Sequence, residues 1–158
     1  MDTTDGPIRI LVADGHSLFR ESVIVVLRSE PELLVVADAR DGAQLAEQIE
    51  RTRPEVAIID LKLPGADGVR AVRLVKERAP DCRILALAED EDQRTLLDVV
   101  EAGASGYLTK DCPLAELIDA TRAVARGEIV IPRWMLGTLL SHLVRRRRER
   151  DEALRRMS

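Results

Sequence analysis

The chain alternates short apolar runs with stretches in which apolar residues recur at helical spacing. Ile8–Ala13 is a strand-length run that stops at Asp14-Gly15-His16-Ser17. Leu18, Val23, Val26 and Leu27 then mark one face of a helix. Residues 33–37 read as a second strand, and 38–52 as a helix built on Leu45, Ala46 and Ile49. Residues 56–59 form a third buried strand that ends at Asp60. A loop dense in turn residues (63–68) follows, then a helix with Val69, Val72 and Val75 inward. Residues 84–88 and Gly106–Thr109 are the fourth and fifth strands, the latter ending at Lys110. Between them lies a helix over 92–102 with Gly103 placed to cap it. Pro113 opens a fifth helix whose inner face is Leu114, Leu117, Ile118, Thr121 and Val124.

Apolar strands alternating five times with amphipathic helices predict an α/β fold, a five-stranded parallel sheet covered on both faces. Sites in such folds lie beyond the carboxyl ends of the strands. Asp14, Asp60, Ala88-Glu89 and Lys110 follow the first, third, fourth and fifth strands. Each alone reads as a solvated loop-end residue. Two acids and a lysine converging on one edge form a candidate site.

Beyond Gly127 the pattern changes, and we divide the chain into a body at 7–126 and an appendage at 127–158. Residues 128–132 read as an extended connector ended by a proline, followed by a long helix from Arg133, interrupted only mildly by Gly137. That helix would be about 37 Å long, too long to pack wholly on the body. Leu136, Leu140, Leu143, Arg147, Arg150, Leu154 and Met157 fall at alternating steps of four and three, a heptad seam with two arginines inside it.

Charge sharpens this division. From Arg145 onward seven arginines face three acids, so the tail carries +4; the chain's net −4 leaves −8 on the rest. Three uses of the tail are open: a linker helix that pairs protomers, a solvated linker, or phosphate attraction by Arg145–Arg148 without sequence readout. Aromatics at 2% argue against ring-stacking sites, including a flavin pocket. Cys82 and Cys112 make neither a disulfide framework nor a zinc site. No apolar run reaches the ~18 residues that span a bilayer. The start MDTTDGP lacks the features of a secretion signal, so a cytoplasmic protein without membrane contact is expected.

Three separated blocks carry a family resemblance: Ala13-Asp14-Gly15-His16, residues 60–68 (DLKLPGADG) and residues 102–111 (AGASGYLTKD). Together they resemble the signature blocks of response-regulator receiver domains, in wording closest to the NarL/FixJ subfamily. The resemblance covers residues 8 to about 126. It implies a doubly wound, flavodoxin-like (βα)5 fold with an extra C-terminal helix, and a non-enzymatic signalling role. It implies Asp60 as acceptor of a phosphoryl group from a sensor histidine kinase, and Lys110 as a point charge offsetting that group. Mg²⁺ would take oxygens from Asp14, Asp60 and the Lys62 backbone carbonyl. Tyr107 matches an aromatic that turns inward when a hydroxyl at position 88 moves toward phosphate.

The departures fall around that phosphate. Gly15 stands where the family has the acid that ligates metal directly. Losing it removes several kcal/mol of attraction at an effective dielectric near 20, so Mg²⁺ affinity is expected to fall unless Asp67, Asp90 or water substitutes. Ala88 replaces a Thr or Ser donor. Glu89 replaces a small residue and is expected to repel an incoming dianion. Tyr107 loses its coupling partner and is left as a switch, an inward-fixed ring or a half-exposed strand aromatic.

The expectation is an atypical receiver with weak or absent Mg²⁺-dependent phosphorylation at Asp60. It would control DNA binding through a LuxR-type helix-turn-helix domain that this chain does not contain. Self-association is expected through the first and fifth helices or the C-terminal helix. The alternative is a pocket repurposed for a small-molecule effector.

Overall fold

A computed structural model describes residues 6–157; the N-terminal stretch read for a secretion signal falls mostly outside them. The sheet is fully parallel in the order β2-β1-β3-β4-β5. Its strands are β1 (Ile8–Ala13), β2 (Leu33–Ala39), β3 (Val56–Asp60), β4 (Arg83–Ala88) and β5 (Gly106–Thr109). The helices are α1 (Ser17–Arg28), α2 (Gly42–Thr52), α3 (Val69–Arg78), α4 (Gln93–Ala102), α5 (Leu114–Ala125) and α6 (Leu136–Met157). Every residue of β3 is buried, as a central parallel strand with two covered faces requires. One core layer joins the sheet to Leu45 and Ile49 of α2, Val72 and Val75 of α3, and Leu96 and Val99 of α4. The other joins it to Val23, Ile24 and Leu27 of α1 and Leu117, Ile118 and Val124 of α5.

Several helix limits and faces differ from the sequence reading. α2 begins at Gly42 because β2 runs on to Ala39 and Asp41 caps the helix, accepting from the Gln44 N–H at 2.8 Å. Leu18 and Leu114 were assigned to inner faces, yet Leu18 is 81% exposed and Leu114 38%. Leu18 lies nine residues before Leu27, half a turn around α1 from the buried stripe of Val23, Ile24 and Leu27, and Leu114 is the first residue of α5. Gly103 caps α4 with φ +119°, a left-handed conformation that favours glycine.

The appendage does not begin as a free linker. Val130 forms a parallel bridge with Gly106, giving its N–H to the Ser105 carbonyl and taking that of Tyr107. The chain then makes a 3₁₀ turn at Arg133–Met135 before α6, so the helix starts three residues later than periodicity suggests. Met135 is completely buried in the α2–α3–α4 core layer, and Leu139 is buried below it. Glu101 of α4 accepts hydrogen bonds from His142 (2.5 Å) and Arg146 (2.7 Å) of α6. Beyond this point α6 is largely exposed. Among the described residues, no helix is long and apolar enough to cross a membrane.

Two predictions follow from this docking. Met135→Ala should cost about 2–4 kcal/mol in denaturant unfolding, a core methionine's worth of transfer and cavity energy. Glu101 is held below the usual carboxylate range by its hydrogen bonds with His142 and Arg146. Its docking contribution is therefore full above pH 4.5, the unperturbed value, and lost as pH falls through the lowered one. Amide chemical shifts of residues 136–146 should move in that acid range before the β-sheet resonances do.

Candidate functional site

Strand register assembles the site. Ala13 pairs with Ile59, so the next residues of β1 and β3, Asp14 and Asp60, emerge side by side. Ala88 pairs with Thr109, so Glu89 and Lys110 emerge next to one another. The edge lies at the point where the strand order reverses about β1, the usual location of a crevice in this architecture.

Asp14 and Asp60 are 1% and 3% exposed, and one ammonium serves both. Lys110 Nζ lies 2.9 Å from Asp14 Oδ2, 3.4 Å from Asp60 Oδ2 and 3.9 Å from Glu89 Oε2. The remaining carboxylate oxygens take backbone N–H groups: His16 donates to Asp14 Oδ1 at 2.8 Å, and Lys62 to Asp60 Oδ1 at 3.1 Å. The 2.9 Å approach to Asp14 Oδ2 is an ion pair without hydrogen-bond alignment, which leaves that buried oxygen with no aligned donor. Burial pushes the Asp60 pKa up; the Lys62 N–H opposes this, Asp14 adds to it, and Lys110 opposes it, with a net rise. Burial also disfavours the Lys110 ammonium, but the two aspartates outweigh it and its pKa is raised.

Some contributors were not legible in the sequence. The ring of Phe19 lies 4.3 Å below the Lys110 ammonium, a cation–π contact from the first turn of α1. Pro64 closes on Gly15: a Cβ built there would sit 2.7 Å from Pro64 Cδ. The acid that the family resemblance expects at position 15 therefore has no room until the Pro64 ring moves. Pro64 stands in a turn that the sequence did reveal, but its distance to Gly15 exists only after β1 and β3 are placed.

Ala88 and Tyr107 lie just behind the carboxylates. Ala88 is buried, and its carbonyl accepts the Lys110 N–H at 2.8 Å. Tyr107 is fully buried rather than half-exposed. Its hydroxyl donates to the Asp90 carbonyl (3.0 Å) and accepts from the Asp92 N–H (3.3 Å), fastening the ring to the β4–α4 loop. Asp67 is exposed. Among the described residues no group of three or more acids, histidines or cysteines is placed to hold a metal. Cys82 is buried and its thiol is pushed up to about 12, leaving it inert at neutral pH.

Residues 10–122 match the response regulator receiver domain family. This chain belongs to that family. It is 40% identical over 123 residues to the transcriptional regulatory protein DegU of Brevibacillus brevis, covering 78% of this chain and 52% of DegU. It is 33% identical to the oxygen regulatory protein NreC of Staphylococcus epidermidis, covering 87% and 63%. The receiver thus spans between half and two-thirds of these relatives. Among solved structures, the receiver domain of the putative response regulator NarL from Mycobacterium tuberculosis superposes with TM-score 0.74 at 31% identity, covering 78% of this chain and all of that one. A LuxR-family two-component response regulator from Aurantimonas gives TM-score 0.79 at 30% identity, covering 88% and 99%. The chain is the receiver domain of a two-component response regulator of the NarL/LuxR type, and such receivers are not enzymes.

The shared ammonium can be tested directly. Lys110→Met should destabilise this receiver by about 3 kcal/mol, because it leaves two buried carboxylates without a counter-charge. Adding Asp14→Asn should recover part of that loss in the double variant. Additive losses in urea unfolding would show that the ion pairs are not coupled.

Proposed function

We propose that this receiver is an atypical signal input in which Asp60 accepts a phosphoryl group weakly or not at all. The observation that carries the reading is the occupation of Lys110 by Asp14, Asp60 and Glu89 together, beside an Ala88 that offers no hydroxyl. In the ordinary reaction an Asp60 oxygen bonds to phosphorus as the phosphorus–nitrogen bond to a kinase histidine breaks, and the imidazole leaves with that electron pair. Here Lys110 would have to release Glu89 to meet the phosphoryl oxygens, and Glu89 would repel them as they arrive.

Mg²⁺ needs few protein ligands, often one or two carboxylates with water filling the rest. Asp14, whose buried Oδ2 has no aligned donor, fits that minimum with Asp60 and the Lys62 carbonyl. When bound, the ion would supply positive charge against the phosphoryl oxygens. With glycine at position 15 and Pro64 packed against it, affinity falls.

Tyr107 then acts as an inward-fixed ring rather than a two-position switch, a reading supported by its burial and its two hydrogen bonds to the β4–α4 loop. Residues 7–126 serve as the receiver unit, and 127–158 as connector and linker helix. The partners are a sensor histidine kinase, a second copy of the chain and, through a separate output domain, DNA, all in the cytoplasm. The same Ala88 and Glu89 beside Lys110 also support a second reading, in which the pocket takes a small-molecule effector.

Incubation with Mg²⁺ and a small phosphodonor, followed by intact-mass measurement, should leave most of the chain unmodified. Ala88→Thr combined with Gly15→Asp should raise the phosphorylated fraction several-fold. Stoichiometric modification of the unaltered chain with ordinary Mg²⁺ dependence would overturn the proposal. Thermal stabilisation by a metabolite, with shifts confined to residues around Asp14 and Lys110, would favour the effector reading.

A further inference from the structure

α6 presents two different faces. Leu139, His142 and Arg146 lie on the stripe that docks on α4. Leu136, Leu140, Leu143, Leu154 and Met157 lie roughly a quarter-turn around the helix, counted at 3.6 residues per turn, and are 46–80% exposed. They share the seam at steps of four and three with Arg147 and Arg150. A solvated linker has no need of five large apolar side chains in heptad register. A seam a quarter-turn from the docked stripe remains exposed while the docking is kept.

We propose that this seam is a self-pairing surface on which a second copy of α6 packs in parallel, and that Arg147 and Arg150 keep the pair weak. This deepens the homodimer in the proposed function by naming its surface. In heptad terms Leu140, Arg147 and Leu154 are a positions, and Leu136, Leu143, Arg150 and Met157 are d positions. The flanking positions choose the occupant and the orientation. In a parallel pair Arg146, at g, faces Asp151 of the second copy, at e. In an antiparallel pair g faces g, which sets Arg146 opposite Ala153, and no opposite charges meet. Glu101 keeps His142 if Arg146 turns to the second copy.

Between the apolar ends, two consecutive arginine layers bring four like charges to the axis of the pair. The i,i+4 spacing of Arg147 and Asp151 offsets part of that repulsion. The resulting pair responds to ionic strength and to anything that neutralises the arginines, which is useful in a regulator and harmful in a permanent dimer.

Sedimentation equilibrium of the whole chain tests this. The unaltered chain should associate weakly and more tightly as salt is raised. Arg147→Leu with Arg150→Leu should tighten association at least tenfold, and Leu143→Glu with Leu154→Glu should abolish it; circular dichroism checks that each variant folds. In a Cys112→Ser background, Met157→Cys should form an intermolecular disulfide on oxidation, because d faces d in a parallel pair. Association insensitive to both seam variants would overturn the surface while leaving the homodimer intact. A monomer throughout, including the double leucine variant, would overturn both. A seam-dependent dimer without the Met157→Cys cross-link would overturn the parallel orientation.

Discussion

Two buried carboxylates at the ends of neighbouring strands are the constraint around which this receiver is arranged. Asp14 and Asp60 sit side by side because β1 and β3 are in register, and burying two carboxylates together calls for a counter-charge beside them. One ammonium offsets both. Lys110 reaches them only because β5 ends beside β4 and because the Phe19 ring supports the charge from below. The backbone amides of His16 and Lys62 complete the arrangement by taking the remaining oxygens. Each part belongs to a different strand–loop connection, so the site integrates the whole sheet edge. Glu89 adds a third, more exposed carboxylate to the same cation.

The space behind the carboxylates is settled by small residues. A hydroxyl at position 88 would give phosphate something to pull on, whereas Ala88 leaves only a carbonyl that holds Lys110 from behind. Tyr107 is buried beneath the β4–α4 loop, and its hydroxyl is satisfied twice by that loop's backbone. Turning the ring outward would leave the Asp90 carbonyl and the Asp92 N–H to find new partners and would expose a buried ring edge. The inward position seen here is held by burial of the ring and by two hydrogen bonds to the loop backbone.

The strands, their order of use and the four loop-end residues were legible because buried parallel strands read as unbroken apolar runs and because the chemistry of such folds gathers at one edge. Helix termini were less legible. Leu18 falls on the opposite side of α1 from Val23, Ile24 and Leu27, whereas Leu114 keeps the helical period of α5 yet is exposed at its first residue. Gly15 could be read as a missing acid, but the Pro64 ring packed against it is a tertiary fact joining residues 49 positions apart. Phe19 escaped for the same reason: five residues from Asp14, it looks like one more apolar helix position until β5 brings Lys110 above it.

The C-terminal segment was read as separate because its composition changes, and the structure shows why composition is a poor guide there. Its first residues, 128–139, are those of a domain edge: Val130 extends the sheet beside β5, and Met135 fills the layer that contains Tyr107 and α4. After Leu139 the segment is basic and almost wholly exposed. Tyr107 thus has the loop above the carboxylate edge on one side and the root of α6 on the other: its hydroxyl holds the first, and its N–H holds Val130 at the start of the second. Val130 and Met135 therefore fix the root of α6 to the same layer that holds Tyr107, one packed layer from the carboxylate edge.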